Sequence, residues 1–140
     1  MTPVVGVGAI VFDDAGRVLL VRRGKPPDAG RWSVPGGKLE RSETLVQGVA
    51  REVREETGLV VEVGALACVV ERIDDPHHHF VILDYFARVI GGTLAAASDV
   101  TDVRFADDAE LSALPLTDGL RDVLASARAK QPPWSTSTSP

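Results

Sequence analysis

The segment from Ser42 to Gly58 constrains this chain more than any other. No proline interrupts Thr44 to Thr57, Ser42 stands where an N-cap belongs and Gly58 comes just after the last turn, so start and stop signals agree on a helix. With Leu45 at zero and about 100° per residue, Leu45, Val46, Val49, Ala50 and Val53 span about 0° to 140°, an apolar stripe that must face a core. Gln47, Arg51 and Arg54 lie on the wet side. Glu55, Glu52 and Glu56 fall near about 280°, 340° and 20°, so three carboxylates share one arc that abuts the apolar stripe. Like charges three or four apart destabilise a helix by a few tenths of a kcal/mol per pair, and by more when desolvated. A hard divalent cation offsets that cost, because Mg²⁺ or Mn²⁺ bridges carboxylates to phosphates. Gly48, on the same arc, costs about 1 kcal/mol of helix propensity relative to Ala and is read as clearing room for a ligand. On the helix alone, a solvated ion-pair lattice of Arg51, Arg54 and the glutamates is an equal reading.

The remaining chain reads as strands, turns and one further helix. Val4 to Phe12 and Arg17 to Val21 are strands around a turn at Asp13–Gly16, and Gly24, Pro26, Pro27 and Gly30 make a loop of the stretch from Arg23 to Arg31. Trp32 to Val34 is a strand fragment ended by Pro35-Gly36-Gly37. Val60 to Ile73 and Phe80 to Val89 are strands separated by a polar turn at Asp74–His79, and Val103 to Phe105 adds a short strand. Leu120, Val123, Leu124 and Ala127 give Thr117 to Ala129 a helical period. Gln131 to Pro140 is rich in Pro, Ser and Thr and reads as a disordered tail.

Composition narrows the class. A length of 140 residues is that of a single domain, with no span approaching the ~20 apolar residues a bilayer needs. Fifteen basic against twenty acidic residues, a net charge of −5, oppose attraction to long nucleic acids. An anionic ligand then needs local help, such as a metal. The single cysteine, Cys68, and the absence of a signal-like N-terminus make the cytoplasm the expected location.

The run from Gly37 to Leu59, GKLERSETLVQGVAREVREETGL, fits the Nudix box, G-x5-E-x7-R-E-U-x-E-E-x-G-U with U aliphatic, at every defined position. Those positions are Gly37, Glu43, Arg51, Glu52, Val53, Glu55, Glu56, Gly58 and Leu59. The chain therefore resembles the Nudix hydrolases, and Trp32-Ser33-Val34-Pro35-Gly36 extends the likeness. The resemblance implies an α/β/α sandwich, an α/β fold with a mixed sheet between helices, over residues 1–130. It implies divalent metal, Mg²⁺ with Mn²⁺ as a substitute, on Glu52, Glu55 and Glu56, with the Gly36 carbonyl as a further ligand. It also implies that Glu43 and Arg51 pair to orient the metal-binding face. The implied reaction is hydrolysis of a nucleoside diphosphate linked to another moiety, by water attack on phosphorus, with Glu56 or Glu52 as general base.

Outside the box, Asp99 is a candidate extra metal ligand or base, ahead of Asp102. Arg22, Arg23 and Lys38 are candidates to balance substrate phosphates, with Lys25 beside them. Asp118 resembles in position the Asn or Asp with which antimutator-type Nudix enzymes read a purine just before the final helix; it either plays that part or caps the last helix, and the cap is the favoured reading. Phe80, Tyr85 and Trp32 are candidate stacking partners for a base. His77, His78 and His79 are read as an exposed turn, and Pro76 resembles a proline that comes after the box in some ADP-ribose pyrophosphatases. The expected ligand is a small nucleotide, either an ADP-ribose-like sugar nucleotide or a nucleoside triphosphate. A homodimer is possible, and the competing function is a non-catalytic module that senses a nucleotide or ADP-ribose.

Overall fold

A computed structural model of the chain describes residues 2–75 and 77–131. Ten elements succeed one another: β1 (Val4–Val11), β2 (Val18–Arg23), β3 (Trp32–Ser33), β4 (Gly36–Lys38), α1 (Leu45–Thr57), β5 (Leu59–Asp75), β6 (His78–Gly92), β7 (Val100–Ala106), α2 (Asp108–Ala113) and α3 (Leu120–Lys130). Four strands form one mixed sheet in the order β4-β1-β6-β5, in which β1 and β6 run parallel and the other pairs antiparallel. A second sheet has the order β3-β2-β7.

Strand alternation sends successive side chains of β1 to opposite faces. Val7, Ala9 and Val11 join Val49 and Val53 of α1 in one buried cluster. Ile10 joins Phe86 of β6 and Leu120 and Leu124 of α3 in another. The central sheet thus lies between helices, as the box resemblance implied, and belongs to the α/β class.

Several boundaries differ from the sequence reading. Thr44, not Ser42, caps α1: its hydroxyl accepts the Gln47 amide while the Gln47 side chain accepts the Thr44 amide, a reciprocal pair that Ser42 lies too far upstream to make. Ser42 sits at φ 65 in the preceding turn. Gly58 ends the helix at φ 75, where a glycine carries no Cβ penalty. The strand read over Trp32 to Val34 does stop before Pro35, at Ser33, but Gly36 to Lys38 then form a further strand, β4, because they find partners on β1. β5 runs to Asp75 and β6 starts at His78, which shortens the turn expected over Asp74–His79 and puts His78 and His79 in a strand. Asp107 caps the unforeseen α2 through a second reciprocal pair with Glu110. α3 begins at Leu120 rather than Thr117, whose amide instead donates to Trp32 O at 3.0 Å. No helix among the described residues is long and apolar enough to cross a membrane. Pro76, and the expected tail beyond Gln131 with its Trp134, lie outside the described residues.

Candidate active site

Three positions separated in sequence meet at one edge of the central sheet. In the antiparallel β1–β4 pair, Ala9 N donates to Pro35 O and Leu39 N to Val5 O, so residues 35, 37 and 39 turn their polar groups to β1. Gly36 and Lys38 therefore turn theirs outward, toward α1. The Gly36 amide donates to Glu56 Oε1 at 3.0 Å and the Lys38 carbonyl accepts Arg51 Nη2 at 3.0 Å.

Arg51 organises the carboxylates around this edge. Its guanidinium donates to both Glu43 oxygens at 2.6 and 3.0 Å, to Glu52 Oε1 at 2.7 Å and to Glu55 Oε1 at 2.9 Å. Glu43 and Arg51 are thus paired, as expected, and the bond from Arg51 holds the Glu43 carboxyl below its ordinary range. Glu52 is pushed the other way by burial, with Arg51 opposing. Glu56 is only 7% exposed, and burial raises its carboxyl to about 7, offset in part by the Gly36 amide. An ideal Cβ on Gly37 would stand 2.7 Å from the Glu52 carboxylate, so the bare backbone at that position is what admits Glu52.

Gly48 has a different role from the one its helical angle predicted. It is buried, and an ideal Cβ there would stand 2.9 Å from Leu39 Cδ1, 3.0 Å from Glu43 Oε1 and 3.2 Å from Val7 Cγ2. The glycine lets α1 pack against Val7 and Leu39 and leaves no room for a ligand.

The oxygen atoms available to a cation are those of Glu52, Glu55 and Glu56 together with the outward carbonyl of Gly36. As they stand, no three His, Cys, Asp or Glu side chains among the described residues converge on one point. The reason is visible in the bonding: Arg51 draws Glu52 and Glu55 to itself while Glu56 turns to Gly36.

Beside β4 opens a cavity of about 290 Å³, bounded by β1, β5, β6, the segment before β4 and the start of α3. Arg23, Lys38, Phe80 and Asp118 line it. Arg22 does not; it is exposed, opposite Trp32 and Asp102 in the second sheet. Arg23 lies close enough to Glu56 to lower its carboxyl, and Asp99 close enough to raise it, although the Asp99 side chain also reaches Lys25 Nζ at 3.0 Å. Asp118 is 92% exposed and holds Arg31 at 2.9 Å. It does not cap α3, whose N-cap is Gly119 with no side-chain bond. Trp32 is buried in the core beneath α3 and Tyr85 packs toward α1, which leaves Phe80 as the aromatic on the cavity. His79 pairs with Glu71 at 2.7 Å.

The sequence profile described as "NUDIX domain" matches residues 2–129. The chain belongs to the NUDIX family. Among relatives, this NUDIX chain is 38% identical over 106 residues to an ADP-ribose pyrophosphatase of Methanocaldococcus jannaschii, covering 75% of this chain and 62% of that protein. It is 39% identical over 108 residues to a MutT-like protein of Streptomyces ambofaciens, covering 77% and 66% respectively. The chain thus spans somewhat under two-thirds of these relatives. The crystal structure of a MutT NUDIX hydrolase from Burkholderia pseudomallei superposes with a TM-score of 0.79 at 34% identity, covering 90% of this chain and 98% of that one.

Sequence reasoning missed a buried acid on the cavity of this NUDIX fold. Asp84 of β6 lines the cavity at 5% exposure. The signal that could have found it was a single charge inside the apolar run Phe80–Phe86, paired with the Gly6-x-Gly8 alternation in an otherwise branched strand.

Proposed function

We propose that the chain is a divalent-metal-dependent pyrophosphohydrolase that cleaves a nucleoside diphosphate linked to another moiety. The carrying observation is the acidic edge itself: Glu52, Glu55, Glu56 and an outward Gly36 carbonyl, opposed by Arg51 and more distantly by Arg23, beside a cavity of about 290 Å³. An all-oxygen, net-negative donor set fits a hard cation such as Mg²⁺ or Mn²⁺. When bound there, the metal supplies charge neutralisation of the diphosphate and acidification of a coordinated water.

The chain's own groups do the rest. Glu56 is assigned as the general base: buried at the end of α1 with one oxygen held by the Gly36 amide, it takes a proton at the other oxygen. Glu52 and Glu55 hold the cation. Arg51, fixed by Glu43, sets their direction and remains outside the chemistry. Arg23 and Lys38, on the cavity wall next to β4, are placed to meet phosphate oxygens, and Asp99 is the outer acid that tunes Glu56. Phe80 offers a face to the base.

The ligand class is a small nucleotide: an ADP-ribose-like sugar nucleotide, in keeping with the name of the archaeal relative, or a nucleoside triphosphate. A panel of ADP-ribose, the common dNTPs and 8-oxo-dGTP, assayed for monophosphate release with Mg²⁺ and again with EDTA, tests the reading. Metal-dependent release from at least one member is expected. Release insensitive to EDTA, or none from any member, overturns it, and tight binding with no turnover points to a sensing module instead.

A further inference from the structure

One straight row of residues crosses the central sheet. Gly36 of β4 pairs with Gly8 of β1, Gly8 with Asp84 of β6, and Asp84 with Cys68 of β5. Asp84 thus lies two strand spacings, about 10 Å, from the backbone that holds Glu56. That separation is comparable to the length of a nucleoside. By strand alternation Asp84 shares its face with Ile82 and Phe86, on the α3 side of the sheet, where the cavity opens.

The carboxylate is built into a deep, mostly apolar wall. Val70, Ile82, Phe80, Leu120 and Val123 line the same cavity. Its Oδ2 accepts a weak bond from the Cys68 thiol at 3.8 Å, and its Oδ1 lies over Gly8, where an ideal Cβ would stand 2.2 Å away. Any side chain at Gly8 would displace it. Burial pushes the Asp84 carboxyl up to about 6, so keeping a carboxylate here costs stability, and the weak Cys68 bond offsets little of it. Gly8 thus gives the Asp84 carboxylate its place, as Gly6 does for Ile82, and both glycines line the cavity with Asp84.

We propose that Asp84 is a specificity-determining residue of the nucleotide site, its carboxylate accepting two adjacent N–H groups of a guanine-type base edge. The chemistry favours that edge: a guanine presents a ring N–H beside an exocyclic amine, matching an acceptor-only carboxylate. An adenine presents a ring acceptor beside its amine and meets Asp84 with a repulsive lone pair. A site built around such acceptors rejects the analogue that lacks the donors. The proposal rests on the nucleotide-hydrolase reading above and narrows its substrate class.

The test separates recognition from catalysis. The full chain is titrated calorimetrically with GMP, IMP and AMP in EDTA, none of which has a pyrophosphate to cleave. Wild type is expected to bind GMP at least tenfold more tightly than AMP, with IMP, which lacks the exocyclic amine, in between. D84N, isosteric but half donor, is expected to reduce the GMP preference to less than threefold, with kcat/KM for dGTP falling about tenfold or more and that for dATP rising, because the amide donates to the adenine ring nitrogen that the carboxylate repels. Equal wild-type affinities, an AMP preference, no measurable binding, or a D84N loss shared equally by all ligands overturns the proposal. The wild-type ranking needs no variant, so the idea stays falsifiable if D84N misfolds. A GMP preference with no metal-dependent turnover of any nucleotide upholds base reading and sinks the hydrolase reading alone.

Discussion

Glu56 Oε1 accepts the backbone amide of Gly36 at 3.0 Å, joining the last turn of α1 to the edge strand β4. A glutamine keeps that acceptor and removes the buried negative charge, whose burial raises the carboxyl from 4.5 to about 7. Glu56→Gln is therefore expected to lower kcat by about 10²- to 10⁴-fold while raising metal-free stability at pH 8 by up to about 3 kcal/mol. Steady-state kinetics and urea denaturation in EDTA check both halves; near-normal turnover would remove Glu56 from the chemistry.

The pH dependence of stability without metal stems from the same group, from Asp84 and, in the same direction, from Glu52, which burial also raises; the first two carry the larger shifts. Unfolded, the two carboxyls ionise at their ordinary 4.5 and 3.8; folded, at about 7 and about 6. Between those values the folded chain binds more protons than the unfolded one, so their contribution to stability is full below about 4 and is lost as pH rises through about 7. Glu43, shifted down by Arg51, acts oppositely: its contribution is present above 4.5 and lost as pH falls further. Thermal melts in EDTA should thus show Tm declining from pH 5 to 8, and excess Mg²⁺ should flatten the decline by favouring ionised Glu56. A Tm that climbs steadily over that range in EDTA would contradict the assignment.

Arg51 reaches Glu43, Glu52 and Glu55 at once because its guanidinium is a planar fork. Lysine offers one ammonium and cannot span the three. Arg51→Lys is expected to weaken Mg²⁺ binding about ten- to a hundredfold and to lower kcat similarly, while nucleotide binding in EDTA changes little. Unaltered metal affinity would show that the pairing is only a surface lattice.

Glycines 37 and 48 make opposite predictions. At Gly37 a methyl group would meet the Glu52 carboxylate at 2.7 Å, so Gly37→Ala should impair Mg²⁺ binding with little loss of stability. At Gly48 the methyl would meet Leu39, Glu43 and Val7, and overpacking of about 1–3 kcal/mol exceeds the ~1 kcal/mol gained in helix propensity. Gly48→Ala should lower Tm and leave metal affinity nearly intact. A stabilised Gly48→Ala protein would restore the view that the position is open space.

The local signals were legible where their partners are near in sequence. Helix α1 and its Gly58 cap could be read because the apolar period, the absence of proline and the terminal glycine all act within a few residues. Short-range rivalry explains the misplaced caps: Ser42 and Thr44 are both good N-caps, and what selects Thr44 is the reciprocal bond with Gln47. Strand β4 was invisible because Gly36 and Gly37 have no strand propensity of their own and are extended only by pairing with β1.

The amino-acid order alone determined the acidic arc of α1, its capping glycine and the apolar stripe that buries it, since each depends on a helical repeat of under four residues. Folding in three dimensions decided which oxygens face outward from β4, that Gly48 is filled by Val7 and Leu39, and that Asp84 stands in line with Gly8 and Gly36. Those outcomes depend on strand register between segments dozens of residues apart. A one-residue slip would turn every one of these groups to the opposite face.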